Sequence, residues 1–367
     1  MSKNAILHAA KRAKNDEFYT QYADIEKEMN SYLEFDENVF KDKTILLPCD
    51  DPEWSNFTKY FAQNFERFGL KKLISTSYAS ASKGDMDFYH PSKFESNDPK
   101  YDKEKTKTHG KIFILERDFN GDKKINLNDI EWNYLKGDGD FRSAEIKKLR
   151  DMSDIIITNP PFSLFREFLE WIIEANKKFI ILGNINSLTH KCVFPLIKTK
   201  QTWLGPSITS GDREFMSPSF IVDPHKFTGI IRKDDNGNDE YFQRVVGVRW
   251  YTNIDHGRRH QPIPLMSMND NLKFSKHKII TEQGYQKYDN FDAIEVPFAD
   301  AIPSDYDGLM GVPISIMDKY CPEQFDILGC SYDYGRPDGW ATNINMSVSI
   351  KGKNIYKRFL IKHKEPK

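Results

Sequence analysis

In the first half of the chain, short unbroken apolar runs alternate with stretches whose apolar positions repeat every three or four residues. Residues 2 to 14 set Lys3, Lys11, Arg12 and Lys14 among small apolar residues, and residues 22 to 34 place Ile25, Met29 and Leu33 at helical spacing, so two short helices are expected. Lys43-Thr44-Ile45-Leu46-Leu47 is a brief apolar run that stops at Pro48, Asp50, Asp51 and Pro52, as a buried strand entering a loop would. Trp54, Phe57, Phe61, Phe65 and Phe68 then mark a helix over 53–68, and Leu73-Ile74-Ser75-Thr76-Ser77-Tyr78 a second strand. Further runs follow at Ile112 to Leu115, Asp154 to Thr158 and Phe179 to Leu182, with Phe165, Phe168, Leu169, Ile172 and Ile173 on one helical face between the last two. Continuous apolar strands separated by amphipathic helices predict an α/β fold with a doubly wound, mostly parallel sheet covered on both faces. In such sheets ligands bind outside the carboxyl ends of the strands, so the residues that follow each run carry the functional interest.

Between the second and third runs, residues 79–110 are polar, with Gly84, Pro91, Pro99 and a dense mixture of Lys, Asp and Glu, and are expected to form a long surface excursion. From about residue 200 the texture changes. Trp203, Phe215, Phe220, Tyr241, Phe242, Trp250 and Tyr251 are interspersed with Gly and Pro, and antiparallel hairpins are expected, with two strands near 202–220 and 245–254 at the sheet edge.

Composition narrows the class. The chain has 367 residues, 53 Lys+Arg against 54 Asp+Glu, and 4 cysteines. At about 150 residues per domain this is two or three units with enough apolar surface for a core. Cys49, Cys192, Cys321 and Cys330 form no CxxC pair, which argues against a disulfide scaffold or a structural zinc site. No apolar run approaches the roughly 20 residues of a membrane span, and the N-terminus lacks the apolar core of a secretory signal, so a cytoplasmic protein is expected. The balanced charge excludes a uniformly basic nucleic-acid coat, but a local basic face remains open. The histidines are scattered without ligand spacing, and no metal is expected.

The sharpest chemical signal is Asn159-Pro160-Pro161-Phe162, delivered by the buried run Asp154 to Thr158. An aromatic exocyclic amine such as adenine's is a poor nucleophile because its lone pair is delocalised into the ring. It becomes reactive when acceptors take its hydrogens and favour a tetrahedral nitrogen. Asn159 supplies a side-chain carbonyl, Pro160 a backbone carbonyl on a stiff turn, and Phe162 a ring on which a base can stack. No strong base is needed, since alignment with a methyl donor and strengthening hydrogen bonds supply the gain. The alternative is a rigid turn with a satisfied Asn.

These residues resemble the catalytic motif of the S-adenosylmethionine-dependent amino-group DNA methyltransferases. Asp16-Glu17-Phe18-Tyr19-Thr20 looks like the Phe-Tyr-Thr segment that touches the methionine part of the cofactor in that group. Gly139-Asp140-Phe141 looks like its Gly-Asp-Phe element, whose Asp contacts the cofactor's adenine. Asp16 to Gln21, Cys49 to Phe57, Gly137 to Ser143 and the stretch from Gly311-Val312-Pro313 to Ile361 look most like the EcoRI-type adenine-specific enzymes, and that resemblance spans most of the chain. It differs from the usual pattern in two places: the Gly-rich loop after the first strand is replaced by Cys49 to Phe57, and no acid follows the second strand.

The resemblance implies a Rossmann-like class I methyltransferase domain over 1–255 and a target-recognition region over 256–367. It also implies S-adenosyl-L-methionine as cofactor and double-stranded DNA as partner, with the target adenine flipped out of the duplex to meet Asn159, Pro160, Pro161 and Phe162. Phe18, Tyr19, Thr20, Asp50, Asp51, Pro52, Asp140 and Phe141 are the cofactor-side candidates. For Asp50 and Asp51 the competing reading is helix capping, and for Phe18 a place in the core. A role in restriction–modification or phage self-protection is implied, with a companion endonuclease acting on the same site without being bound.

For DNA contact the first candidates are His256, Arg258 and Arg259 in the basic loop Asp255 to His260, against a solvated loop of surface ion pairs. The basic stretch 351–367 comes second. Asp118, Asn120, Asp122, Asn126 and Asp129 mimic a calcium loop, but the glycine is misplaced and a strand precedes, so a hairpin turn at Asn120-Gly121 is the simpler expectation. The tetrapeptide leaves open cytosine N4 or a protein glutamine amide as acceptor, and the missing Gly-rich loop leaves open an inactive DNA-binding protein with this fold.

Overall fold

The computed structural model describes residues 19–48, 50–52, 55–79, 98–217, 227–234, 236–331 and 348–365. The helix expected over 2–14 lies outside them, as do Phe18, Cys49, Glu53, Trp54 and residues 80–97 of the polar excursion. The chain divides into two compact units, Met1–Gly183 with Ser210–Ile254, and Asn184–Thr209 with Asp255–Lys367.

The first unit runs α1 (Tyr22–Leu33), β1 (Thr44–Leu47), α2 (Asn56–Gln63), β2 (Lys72–Ser77), β3 (Lys111–Leu115), β4 (Glu131–Tyr134), α3 (Ala144–Met152), β5 (Ile155–Thr158), α4 (Phe165–Glu174), β6 (Lys178–Asn184), β7 (Asp212–Ser217), β8 (Ile230–Lys233), β9 (Asp239–Val246) and β10 (Val248–Thr252). Its large sheet has the order β4-β3-β2-β1-β5-β6-β10. β1, β2, β5 and β6 are parallel, and β1 and β5 are buried at every position, as central strands covered on both faces require. The register of β5 on β1 is pinned at its start by Asp154, whose carboxylate accepts from the Thr44 N–H at 2.7 Å while its own N–H donates to the Thr44 carbonyl at 2.9 Å. On α4, Phe165, Phe168, Leu169 and Ile172 are buried as the spacing predicts, while Trp171 is buried with them and Ile173 is half-buried.

The structure corrects several expectations. The third apolar run is not a parallel strand: β3 pairs antiparallel with β2, and β4 antiparallel with β3. The connection between β3 and β4 holds no crossover helix, only a 3₁₀ turn at Leu127–Asp129, so a hairpin is the geometry it allows. Its acids are occupied by their own loop. Asp118 accepts from the N–H groups of Gly121 and Lys123, and Asp129 from those of Phe119, Asn120 and Asn126. The helix expected over 53–68 breaks at Asn64 into α2 and a single turn at Phe65–Phe68, which ends at left-handed Gly69. Within the polar stretch 79–110, Asp102 caps a helix at Lys103–Thr108, and Asp98 accepts from the Trp132 indole N–H at 2.8 Å.

Near 202–220 there is a two-residue strand at Trp203–Leu204 as well as β7, and near 245–254 there is β10. β10, buried along its whole length, lies beside β6, and Thr252 and Asn253 bond to Lys177 and Phe179 at the start of that strand. β7 has polar and exposed positions and joins β9 and β8 in a separate three-stranded antiparallel sheet. Gly247, with φ 73°, lets the chain leave one sheet after β9 and enter the other at β10.

The second unit contains a four-stranded sheet of β11 (Ile294–Glu295), β12 (Met310–Pro313), β13 (Phe325–Cys330) and β14 (Arg358–His363), in the order β11-β12-β14-β13. It is not purely strand: short helices occur at Met268–Phe274 and Lys278–Gln283. Nor is the basic C-terminal stretch a loose tail. Phe359, Leu360 and Ile361 are buried in β14, and Lys362 and Lys364 face Asp307 and Asp326. The consecutive apolar residues Phe359, Leu360 and Ile361 decide, because burying them outweighs the lysines' preference for water, which their long stems still reach. Among the described residues no helix is long and apolar enough to cross a membrane.

Candidate active site

Three strand ends of the first unit converge at the edge where an open α/β sheet binds ligands. β1 ends in Pro48, Asp50 and Asp51, β2 in Ser77 and Tyr78, and β5 in Asn159-Pro160-Pro161-Phe162. The sheet order reverses between β1 and β5, which makes their carboxyl ends the natural crevice.

Asp50 is buried and braces this crevice. Its carboxylate accepts from the Ser55 hydroxyl at 2.8 Å and the Thr158 hydroxyl at 2.6 Å. Its backbone carbonyl accepts from the hydroxyls of Thr58, at 3.3 Å, and Ser75. Ser55 in turn caps α2, accepting from the N–H groups of Phe57 and Thr58. The expected contest between cofactor side and helix cap is therefore mixed for Asp50: it supports the capping residue. Asp51 is half-buried and its carbonyl accepts from the Ser55 N–H at 2.7 Å, while Pro52 is buried.

The tetrapeptide leaves β5 directly. Pro160 and Pro161 are buried, Asn159 and Phe162 half-buried. Pro161 starts a 3₁₀ turn at Phe162–Leu164, its carbonyl accepting from the Leu164 N–H at 2.8 Å. Phe162 meets Phe215 of β7 edge to face, with ring centroids 6.1 Å apart. The next residue, Met216, exchanges two backbone hydrogen bonds with Tyr19, both at 3.0 Å. The Thr20 carbonyl accepts from the Asn56 side chain at 2.8 Å, at the start of α2. Tyr19, Thr20, Asp50 and Asn159 to Phe162 are thus linked through β7 and α2.

Gly139-Asp140-Phe141 is brought to the end of β2, where the sequence has no acid of its own. The Ala79 N–H donates to the Asp138 carbonyl at 2.8 Å, and Gly139 has φ 89° and lies so close to β2 that a Cβ would collide with the Ser77 carbonyl. Asp140 is half-buried and receives Arg142 Nε at 2.9 Å. Phe141 is buried against Phe168 and Trp171 of α4, so its ring belongs to the core.

The residues present suit S-adenosylmethionine. That molecule carries a carboxylate, an ammonium, ribose hydroxyls and an adenine, and the edge offers hydroxyls, carboxylates and backbone groups. Thr20 is buried, and among the described residues its Oγ1 meets no hydrogen-bond partner, as a hydroxyl reserved for a ligand would. Among the described residues no group of three or more His, Cys, Asp or Glu is arranged to hold a metal ion.

The basic loop belongs to the second unit and is more structural than expected. His256 is buried. Its Nδ1 accepts from the Arg259 N–H at 3.3 Å and its Nε2 lies 3.0 Å from the Leu204 carbonyl, so the ring fits as the neutral Nε2–H tautomer. Burial pushes its pKa down to about 4. The Arg259 guanidinium lies 3.8 Å from the Trp203 ring centroid and 3.3 Å from Asp255, and Arg258 donates to the Pro206 carbonyl at 2.9 Å. His260, at the exposed rim, has its pKa raised by its bond to Asp255.

Sequence reasoning missed Thr158, Ser55 and Phe215. Thr158 was visible as the residue before the tetrapeptide. Nothing in the spacing of Phe215 ties it to Phe162, because the pairing depends on a strand in another sheet.

The family model described as adenine-specific methyltransferase EcoRI matches residues 6–364. The type II methyltransferase M.EcoRI of Escherichia coli is 40% identical over 98% of this chain and 97% of its own length. The type II methyltransferases M.MgeORF184P of Mycoplasma genitalium and M.MpnI of Mycoplasma pneumoniae are 31% and 30% identical, each over 98% of this chain and 99% and 98% of their own lengths. No solved structure matches.

Proposed function

This chain belongs to the EcoRI family of adenine-specific DNA methyltransferases, and on that premise we propose that Asn159-Pro160-Pro161-Phe162 is the pocket that receives the target adenine. The enzyme methylates adenine in DNA within restriction–modification. The observation that carries the proposal is the position of the tetrapeptide: it leaves the carboxyl end of β5 beside β1, at the crevice of the sheet.

In the pocket, the Asn159 side-chain carbonyl and the Pro160 backbone carbonyl accept the two hydrogens of the amine and draw its lone pair out of conjugation. As the nitrogen acquires positive character these two bonds strengthen, so they stabilise the transition state more than the ground state. Phe162, backed by Phe215, stacks on the flipped base and offsets part of the unstacking cost. The buried prolines keep the two acceptors from drifting.

S-adenosyl-L-methionine is the proposed cofactor, and when bound it supplies a methyl group made electrophilic by the adjacent positive sulfur. Tyr19 and Thr20, with Phe18 before them, are proposed for its methionine part. Asp51 and Pro52 form the wall after β1, and Asp140 stands at the end of β2. Asp50 and Phe141 act here by shaping their loops. A Rossmann-like class I methyltransferase architecture accords with the parallel core of the first unit.

Residues 256–367, within the second unit, are the proposed target-recognition region. Arg258 and Arg259, in a loop held by His256, are the proposed phosphate or guanine contacts. A companion endonuclease acting on the same site, without binding, completes the proposal. It is tested by incubating the protein with labelled S-adenosylmethionine and mixed-sequence plasmid, then digesting the DNA to nucleosides. N6-methyladenine is expected by mass spectrometry, and retained DNA binding without any methylated base would contradict the proposal.

A further inference from the structure

β1 and β5 are neighbours at the centre of the sheet, with Ile45 opposite Ile155 and Leu46 opposite Ile156. On its other edge β5 is paired with β6 through Thr158, which faces Ile181. Beyond Leu46 a side-chain bridge joins the end of β5 to the loop after β1. The Thr158 hydroxyl donates to Asp50 at 2.6 Å and lies 2.9 Å from the Pro48 carbonyl, so it ties the end of β5 to the loop after β1. Thr158 and Asp50 are both buried, with 1% and 5% exposure, which keeps water from replacing this bond.

We infer that the Thr158–Asp50 bridge is a positioning device, which sets where Asn159 presents its side-chain amide and so governs the rate of methyl transfer without touching the substrate. The inference rests on the reading of Asn159 as acceptor of the adenine amine. Thr158 and Asn159 share a peptide unit, so a shift of Thr158 carries Asn159 with it. Asp50 is held from the opposite side by Ser55, and its backbone carbonyl is fixed by Thr58 and Ser75. The bridge thus refers the catalytic strand end to a rigid point that belongs to β1, β2 and α2 together. A valine at 158 would fill the same space but make no bond, which isolates the hydroxyl from the packing.

The test compares Thr158→Val and Thr158→Ser in the full chain, by single-turnover methyl transfer at saturating S-adenosylmethionine and DNA and by equilibrium affinity for each. Misplacing a catalytic group by about an ångström costs on the order of a hundredfold in rate. The valine variant is therefore expected to be about tenfold to a hundredfold slower, with both affinities within about threefold of wild type, and serine to restore most of the rate. Wild-type rate in the valine variant, a serine variant as slow as valine, or affinities that fall together with the rate would each overturn the inference. Should the valine variant not fold, Thr158→Ala removes the same hydroxyl without adding bulk, and a wild-type rate in that folded variant also overturns it. An inactive Asn159→Ala beside a normal Thr158→Val sinks the bridge and spares the catalytic reading. Normal rates in both sink the reading itself.

Discussion

Replacing His256 with asparagine measures how the basic loop is built. The imidazole is held neutral, its pKa lowered from 6.5 to about 4 because burial penalises the charged form. A histidine whose folded pKa lies below its unfolded value stabilises the fold above the unfolded pKa, and that stability is lost as pH falls through the window from 6.5 towards 4. At about 1.4 kcal/mol per unit the whole window is worth about 3 kcal/mol, of which about 2 kcal/mol is gone by about pH 5. Asparagine can keep the capping acceptor towards the Arg259 N–H but does not titrate. The assay is urea unfolding of wild type and His256→Asn at about pH 7.5 and about pH 5, and the quantity is the difference between their pH-induced changes. Asp255, Arg259 and His260 lie close by, and the subtraction removes their shared contribution. Wild type is expected to lose about 2 kcal/mol more than the variant. Equal losses would mean that His256 takes up its proton as readily in the fold as in the unfolded chain, which would refute the argument that burial holds it neutral.

Two further outcomes follow from the first unit. Phe162→Ala should weaken DNA binding and slow methylation while leaving cofactor affinity within about threefold, since it removes a stacking ring worth about 1–3 kcal/mol per base; unchanged DNA affinity and rate would exclude stacking. Gly139→Ala forces a non-glycine residue to φ 89° and drives a Cβ into the Ser77 carbonyl, so a loss of about 1–3 kcal/mol in thermal or chemical unfolding is expected, together with weaker cofactor binding as Asp140 shifts. A variant as stable and as tight as wild type would show that this loop does not need to approach β2.

The parallel core was legible because its strands are continuous apolar runs and its helices carry their apolar residues on one face. Thr44–Leu47 and Ile155–Thr158 were placed to within a residue. β3 misled because an apolar run does not show whether a strand is parallel or antiparallel, and the connection over 78–110 is long enough for either. β7 misled for a related reason: alternate burial shows that one face is wet but not which sheet the strand joins. The tetrapeptide was visible as chemistry but did not separate adenine from cytosine or glutamine, and the whole-chain family match supplies that distinction. In the basic loop the charge was visible in sequence, while the burial of His256 and the stacking of Arg259 on Trp203 were not.

The most direct test of the account is single-turnover methylation by Asn159→Ala, set beside its calorimetric affinity for S-adenosylmethionine. If Asn159 accepts the adenine amine, the rate falls by roughly a hundredfold or more, the order seen when one preorganised hydrogen-bond partner of a transition state is removed, while cofactor affinity stays within about threefold. Near-wild-type turnover in that variant would contradict the account.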